Sequence, residues 1–118
     1  MYLDAGTNNE IYLRDPLRVG LRQKRPSSEE LHPFVDEFVE AVQEVFPNCC
    51  IHFEDWTGVD AVALLARYRD KTCCYNDDIQ GTAGVTLAGL INALKITGSE
   101  LKEQRILFLG ADSAGYRR

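Results

Sequence analysis

Apolar side chains recur at Leu31, Phe34, Val35, Phe38, Val39, Val42, Val45 and Phe46. That spacing gathers them on one face of a helix. Ser27-Ser28-Glu29-Glu30 in front supplies N-cap residues and early acids, and Pro47-Asn48 closes the pattern. Pro33 cannot sit deep inside a helix, so the regular part is expected to begin near it after one loose turn. A second stripe, Val59, Val62 and Leu65 with Leu64 and Tyr68 beside it, predicts a helix over residues 59–68. The apolar runs at 49–53 and 73–75 read as short strands. From 82 to 96 nearly every residue is apolar or small, which predicts a buried helix with Gly98 near its C-terminal cap. A polar connection follows at 101–105, and Ile106-Leu107-Phe108-Leu109 reads as a strand from inside a parallel sheet. Residues 1–26 carry the turn signals Gly6-Thr7-Asn8-Asn9 and Asp15-Pro16 and are expected to be irregular. Strand, helix, strand, helix, strand is the order of an α/β protein.

Composition narrows this picture more than it changes it. The chain has 118 residues, 45% hydrophobic and 26% charged, enough for one core but not for two complete domains. A net charge of -5 argues against nucleic acid as a partner, because phosphate binding needs a basic face. Arg18, Arg22, Lys24 and Arg25 form the one basic cluster and read as a solvated or interface stretch. The 4 cysteines stand in two adjacent pairs, Cys49-Cys50 and Cys73-Cys74, which is not zinc-ligand spacing. In apolar surroundings they are expected to be buried free thiols in a reducing compartment. No apolar run reaches membrane-spanning length and no N-terminal apolar leader is present. The chain therefore reads as soluble and intracellular, with cytoplasm and organelle matrix not distinguished.

Two expected strand ends carry paired acids, Glu54-Asp55 and Asp77-Asp78. Ligands of open α/β sheets gather beyond the carboxyl ends of the strands. Four carboxylates converging there would repel unless a cation or protons compensate them, and hard oxygen ligands suit Mg²⁺ or Mn²⁺. Each pair also precedes an expected helix, where acids serve as N-caps and favour the positive end of the dipole. Spacing alone leaves both readings open. Further on, Gly110-x-Asp112-x-x-Gly115 follows an apolar strand and nearly matches the dinucleotide fingerprint G-x-G-x-x-G. Asp112 stands where the middle glycine would let the backbone approach a diphosphate.

Together these segments resemble the malic enzyme family. Leu3-Asp4-Ala5-Gly6-Thr7-Asn8-Asn9 is similar to its L-D-x-G-T-x-N segment, and Gly20-Leu21-Arg22-Gln23-Lys24-Arg25 after Asp15-Pro16 to its D-P-x-Y-x-G-L-x-Q-K-R segment. Phe53-Glu54-Asp55-Trp56 resembles F-E-D-F. Residues 75–83, from Tyr75-Asn76-Asp77-Asp78 to Ala83, resemble the signature F-N-D-D-I-Q-G-T-A. The resemblance implies an interior piece of such an enzyme: residues 1–80 from the end of the N-terminal catalytic domain, and 81–118 from the start of a Rossmann-type NAD(P)-binding domain. It implies oxidative decarboxylation of (S)-malate to pyruvate and CO₂, with NAD⁺ or NADP⁺ and with Mg²⁺ or Mn²⁺, in a complete enzyme that is a homo-oligomer. It assigns Glu54, Asp55 and Asp78 as metal ligands, Asp77 as a catalytic group beside them, and Gly110, Ala111, Ser113 and Ala114 to the dinucleotide loop.

The family's proton-shuttling Tyr and Lys and its malate-binding Arg have no counterpart here, so the 118-residue chain is expected to be inactive alone. A different reading is a non-catalytic remnant that binds divalent metal weakly or serves as an interaction module. A Mg²⁺-dependent phosphoryl-transfer domain is disfavoured by the lack of a phosphate-cradling loop.

Overall fold

A computed structural model of the chain describes residues 2–110. It divides after Val45 into two compact units.

Among the described residues the first unit holds two helices. Helix α1 (Glu10–Arg14) lies in the stretch expected to be irregular; Asn9 caps it, its side chain accepting from the Ile11 N–H at 2.9 Å. The rest of that stretch is held by its turn residues. The Asp4 carboxylate accepts from the N–H groups of Gly6 at 2.8 Å and Leu21 at 2.7 Å. Those two bonds hold the Asp4 carboxyl below the usual carboxylate range. The Thr7 N–H donates to the Gln23 carbonyl at 2.9 Å, and the Arg25 guanidinium to the Gly6 carbonyl at 3.1 Å. Gly6 has a φ of 75°, and a Cβ there would stand 2.6 Å from the Gln23 carbonyl oxygen. That oxygen is fixed by its bond to Thr7. Gly6→Ala should therefore destabilise this layer by about 2 kcal/mol. The measurement is hydrogen exchange of the Thr7 amide, which should quicken in the variant; unchanged exchange would show that the turn relaxes freely.

Helix α2 (Ser28–Val45) starts a turn earlier than expected. Ser27 and Glu30 exchange backbone and side-chain bonds in a capping box, the Ser27 N–H donating to Glu30 Oε2 at 3.2 Å. Pro33 falls inside the helix, where it forgoes only the bond to the carbonyl of exposed Glu29. The buried stripe is narrower than the sequence pattern: Leu31, Val35, Val39 and Val42 are buried, whereas Phe34, Val45 and Phe46 are exposed.

The second unit contains the α/β element that the alternation predicts. Strand β1 (Ile51–Phe53) leads through helix α3 (Gly58–Tyr68) to strand β2 (Cys74–Asn76), which pairs parallel with β1. Parallel neighbours need such a crossover, because their ends are too far apart for a tight turn. Thr57 caps α3, its hydroxyl donating to Asp60 Oδ2 at 2.6 Å. The buried face of α3 is Ala61, Leu64, Leu65 and Tyr68, with Val59 of the expected stripe left exposed in the first turn. The Phe53 ring of β1 stacks on Tyr68 at 6.1 Å and meets Trp56 edge-on at 6.1 Å. Ala61, Leu65 and Ile79 form a cluster against which Trp56 and Val62 pack.

β2 runs directly into a π-helical turn (Asp77–Gly81) and then into helix α4 (Thr82–Thr97), closed by Gly98 in the left-handed conformation at φ 68°. A 3₁₀ turn (Leu101–Glu103) follows. Three expectations are corrected here. Helix α4 exists as expected but buries none of its residues, leaving Val85, Leu87, Ile91 and Ile96 exposed; an all-round apolar surface implies burial only where a neighbour covers it. Residues 106–109 form no strand, because among the described residues the only sheet is the β1–β2 pair and no partner backbone is offered to them. Cys49, Cys50 and Cys73 are exposed and Cys74 half-buried, all as free thiols. They fall where the chain enters each strand, outside the core built by Ile51 and Phe53. No helix among the described residues is long and apolar enough to cross a membrane.

Candidate metal centre

Parallel pairing places the C-terminal ends of β1 and β2 side by side. The register is Ile51 with Cys74, His52 with Tyr75 and Phe53 with Asn76. The residues that follow are Glu54-Asp55 on one strand and Asp77-Asp78 on the other, so the two acid pairs meet. One carboxylate oxygen from each of Glu54, Asp55 and Asp78 lies within 4.8 Å of the others. Asp77 joins a second group with His52 and Glu54 at the same spacing. The sequence-assigned metal residues are thus brought together, and Asp77 stands beside them.

Each acid is held by a specific local device. Asn76 is fully buried at 0% exposure. Its side-chain oxygen accepts from the Ile79 N–H at 3.0 Å, while its own N–H donates to Gln80 Oε1 at 3.0 Å. These bonds start the π-helical turn and fix where Asp77 and Asp78 project. Asp55 adopts φ 57°, a left-handed conformation that is uncommon for a residue other than Gly and that Asp tolerates better than most. It turns the chain sharply off β1 and keeps Asp55 with Glu54. The His52 imidazole contacts Glu54, Nε2 to Oε2, at 2.8 Å, and its ring stacks on Tyr75 at 4.5 Å. Gly81 leaves room for the Asp77 carboxylate as it stands: a Cβ there would collide with it and force that side chain to rotate away.

The electrostatics are those of crowded carboxylates. Burial first, then the Asp77 carboxylate, pushes the Glu54 carboxyl above its ordinary range; Asp78 and a hydrogen bond with Asp77 add to this and His52 opposes it. Asp78 Oδ2 is buried and has no hydrogen-bond partner, a costly condition for a carboxylate oxygen. Three clustered carboxylates, one with an unsatisfied buried oxygen, form a donor set that fits a hard divalent cation.

A raised folded-state pKa means that the folded chain binds this proton more tightly than the unfolded chain does. The associated stability is present below the ordinary Glu value and is lost as pH rises through the raised one. Glu54→Gln should therefore raise the urea midpoint of the metal-free chain near neutral pH, and the advantage should shrink as pH falls to about 4. Urea titrations of both proteins at the two pH values check this; a midpoint that falls at neutral pH would show that Glu54 is not under repulsion.

Of the dinucleotide loop, Gly110 is exposed with a φ of 127°. Ala111, Ser113 and Ala114, and with them Asp112, lie outside the described residues. His52, Asn76 and Gln80 were not singled out in the sequence. Period-two alternation does put His52 on the same strand face as Glu54, and that was the available signal. Asn76 is an Asx-type cap whose role depends on the turn it starts.

The fold and cluster define an α/β chain with a carboxylate-rich site at the ends of two parallel strands. Residues 1–69 match the family model for the malic enzyme N-terminal domain, and residues 79–116 that for the malic enzyme NAD binding domain. The chain belongs to the malic enzyme family. It is similar to the NAD-dependent malic enzyme of Cronobacter sakazakii, 54% identical over 113 residues that cover 96% of this chain and 20% of that protein. NAD-dependent malic enzyme 2 of Photobacterium profundum is also 54% identical, and the NAD-dependent malic enzyme of Proteus mirabilis 53% identical, with the same 96% and 20% coverage. The chain spans about a fifth of the length of the curated relatives it matches.

Proposed function

We propose that this chain contributes the divalent-metal site of an NAD-dependent malic enzyme, whose complete form converts (S)-malate to pyruvate and CO₂ while reducing NAD⁺. The observation that carries the reading is the meeting of Glu54, Asp55 and Asp78 within 4.8 Å, with Asp78 Oδ2 buried and unpartnered. The names of the relatives support NAD⁺ as the acceptor.

Glu54, Asp55 and Asp78 would hold Mg²⁺ or Mn²⁺. The bound cation supplies Lewis-acid polarisation of a substrate oxygen and neutralises negative charge that develops there. His52, through its contact with Glu54, limits the rotation of that carboxylate. Asn76 keeps Asp78 at the start of the turn. Asp77, whose carboxylate lies within 4.8 Å of that of Glu54, would exchange a proton there. The chain's own acids thus bind and orient, and the chemistry of hydride transfer belongs to the nucleotide.

The test is malate-dependent NADH formation by the complete protein that carries these residues. Glu54→Gln should lower it by more than roughly 100-fold, beyond the 10–100-fold typical of groups one shell outside a metal. Retention of activity with unchanged Mn²⁺ dependence would overturn the assignment.

A further inference from the structure

The outer face of the β1–β2 pair is a ladder of facing side chains. Ile51 and Phe53 point to the core and are buried, so His52 points outward. It stacks on its register partner Tyr75, ring centroids 4.5 Å apart and planes 14° from parallel. One step toward the C-terminal ends, the carboxylates of Glu54 and Asp77 come within 4.8 Å of each other. One step the other way, where each chain enters its strand, stand Cys50 and Cys73. The backbone confirms the pairing, since the Ile51 N–H donates to the Cys73 carbonyl at 2.9 Å. Both cysteines are free and exposed.

We propose that Cys50 and Cys73 form a redox-modification site, closing reversibly to a cross-strand disulfide by exchange with a low-molecular-weight disulfide such as oxidised glutathione. Neighbouring strands lie about 4.7–4.9 Å apart, inside the roughly 4.4–6.8 Å between Cα atoms that a disulfide spans. Continued one residue before the paired strands, the register of Ile51 with Cys74 and His52 with Tyr75 would put both side chains on the face of His52 and Tyr75, so closure would need rotation about the side-chain bonds and little movement of the backbone. Vicinal closure within Cys49-Cys50 or Cys73-Cys74 is disfavoured, because a disulfide between adjacent residues is strained. A thiolate metal site is disfavoured: among the described residues no cysteine belongs to a group of three ligand atoms close enough to share an ion.

The exchange balances without another reactant. The Cys50 thiolate attacks one sulfur of the small disulfide, forms a mixed disulfide and releases one small thiolate. The Cys73 thiolate then attacks the Cys50 sulfur, forms the Cys50–Cys73 bond and releases the second. Two protein thiols are oxidised, one small disulfide is reduced to two thiols, and the two protein protons pass to the released thiolates. Burial and the neighbouring thiols push the Cys50 thiol upward, so the exchange is best followed at mildly alkaline pH.

Two double variants of the full chain test this. Cys49→Ser with Cys74→Ser leaves the proposed pair; Cys50→Ser with Cys73→Ser leaves the other two thiols. Each is incubated with oxidised glutathione under native conditions and in urea, alkylated and mapped by mass spectrometry. The first variant should lose both free thiols to an intramolecular crosslink in native buffer and regain them with dithiothreitol. In urea it should carry mainly glutathione adducts, and the second variant should show adducts in both conditions. Equal crosslinking of the two variants, or adducts alone on Cys50 and Cys73 in the native chain, would overturn the proposal.

Discussion

Asp78→Asn should weaken Mn²⁺ binding by roughly 100-fold, about 2.7 kcal/mol. The substitution keeps the shape of the side chain and removes one charged oxygen from a set of three carboxylates gathered within 4.8 Å. It also removes the negative charge carried in part by the buried oxygen that lacks a protein partner. The same change should make the metal-free chain more stable, because Asp78 is one of the charges that push the Glu54 carboxyl upward. Opposite signs for binding and stability distinguish a ligand from a capping residue: loss of a cap lowers stability and leaves Mn²⁺ affinity alone. Glu40→Gln, an exposed acid on α2, is the control for nonspecific charge effects. Calorimetric or Mn²⁺ EPR titration reads the affinity, and equal losses for Asp78→Asn and Glu40→Gln would remove Asp78 from the site.

Leu64→Ala should cost about 3 kcal/mol of stability, within the 2–5 kcal/mol typical of a buried Leu. Leu64 is 0% exposed, and it sits on the helix that joins the two strands. Truncation leaves a cavity where the Leu64 side chain is buried, so the loss includes the transfer of the removed methyl groups and the unfilled volume. Val59→Ala on the same helix, at a residue 79% exposed, should change stability by no more than about 0.5 kcal/mol. Urea unfolding gives both values. Similar midpoints for the two variants would show that α3 is not docked through the face described.

The parts of this architecture set by local pattern were legible from the residues. The stripe on α3 and the short apolar runs gave the strand–helix–strand unit, and motif resemblance located Glu54, Asp55 and Asp78 before their geometry was known. What failed depends on neighbours. An apolar run such as residues 106–109 has strand character, yet a strand exists only where another backbone accepts its hydrogen bonds. The all-apolar surface of α4 implied burial, and no described element covers it. The cysteines were placed inside by hydropathy, whereas strand ends and register decide their exposure. The π-helical turn that projects Asp77 and Asp78 has no periodicity of its own to betray it, and its cap, Asn76, resembles any turn residue until Ile79 is seen bonded to it.

The bare surface of α4 also determines how that helix melts. With none of its 16 residues buried, it is held by its own backbone bonds, and a helix of this length sits near the margin of stability in water. Its helix–coil equilibrium is consequently separate from the cooperative unfolding of the β1–α3–β2 unit. The equilibrium is also one-sided. At the N-terminal end the π-helical turn ties α4 to buried Asn76 and Ile79, so that anchor supplies the nucleus already formed. At the other end the Gly98 cap, its N–H bonded to the Leu94 carbonyl, and the local bonds of the Ser99 N–H to the Leu94 carbonyl and the Thr97 hydroxyl to the Ala93 carbonyl resist unwinding without a buried anchor. Amide protection should decline steadily from Thr86 toward Gly98, with the last turn exchanging through fraying that leaves the carboxylate cluster intact.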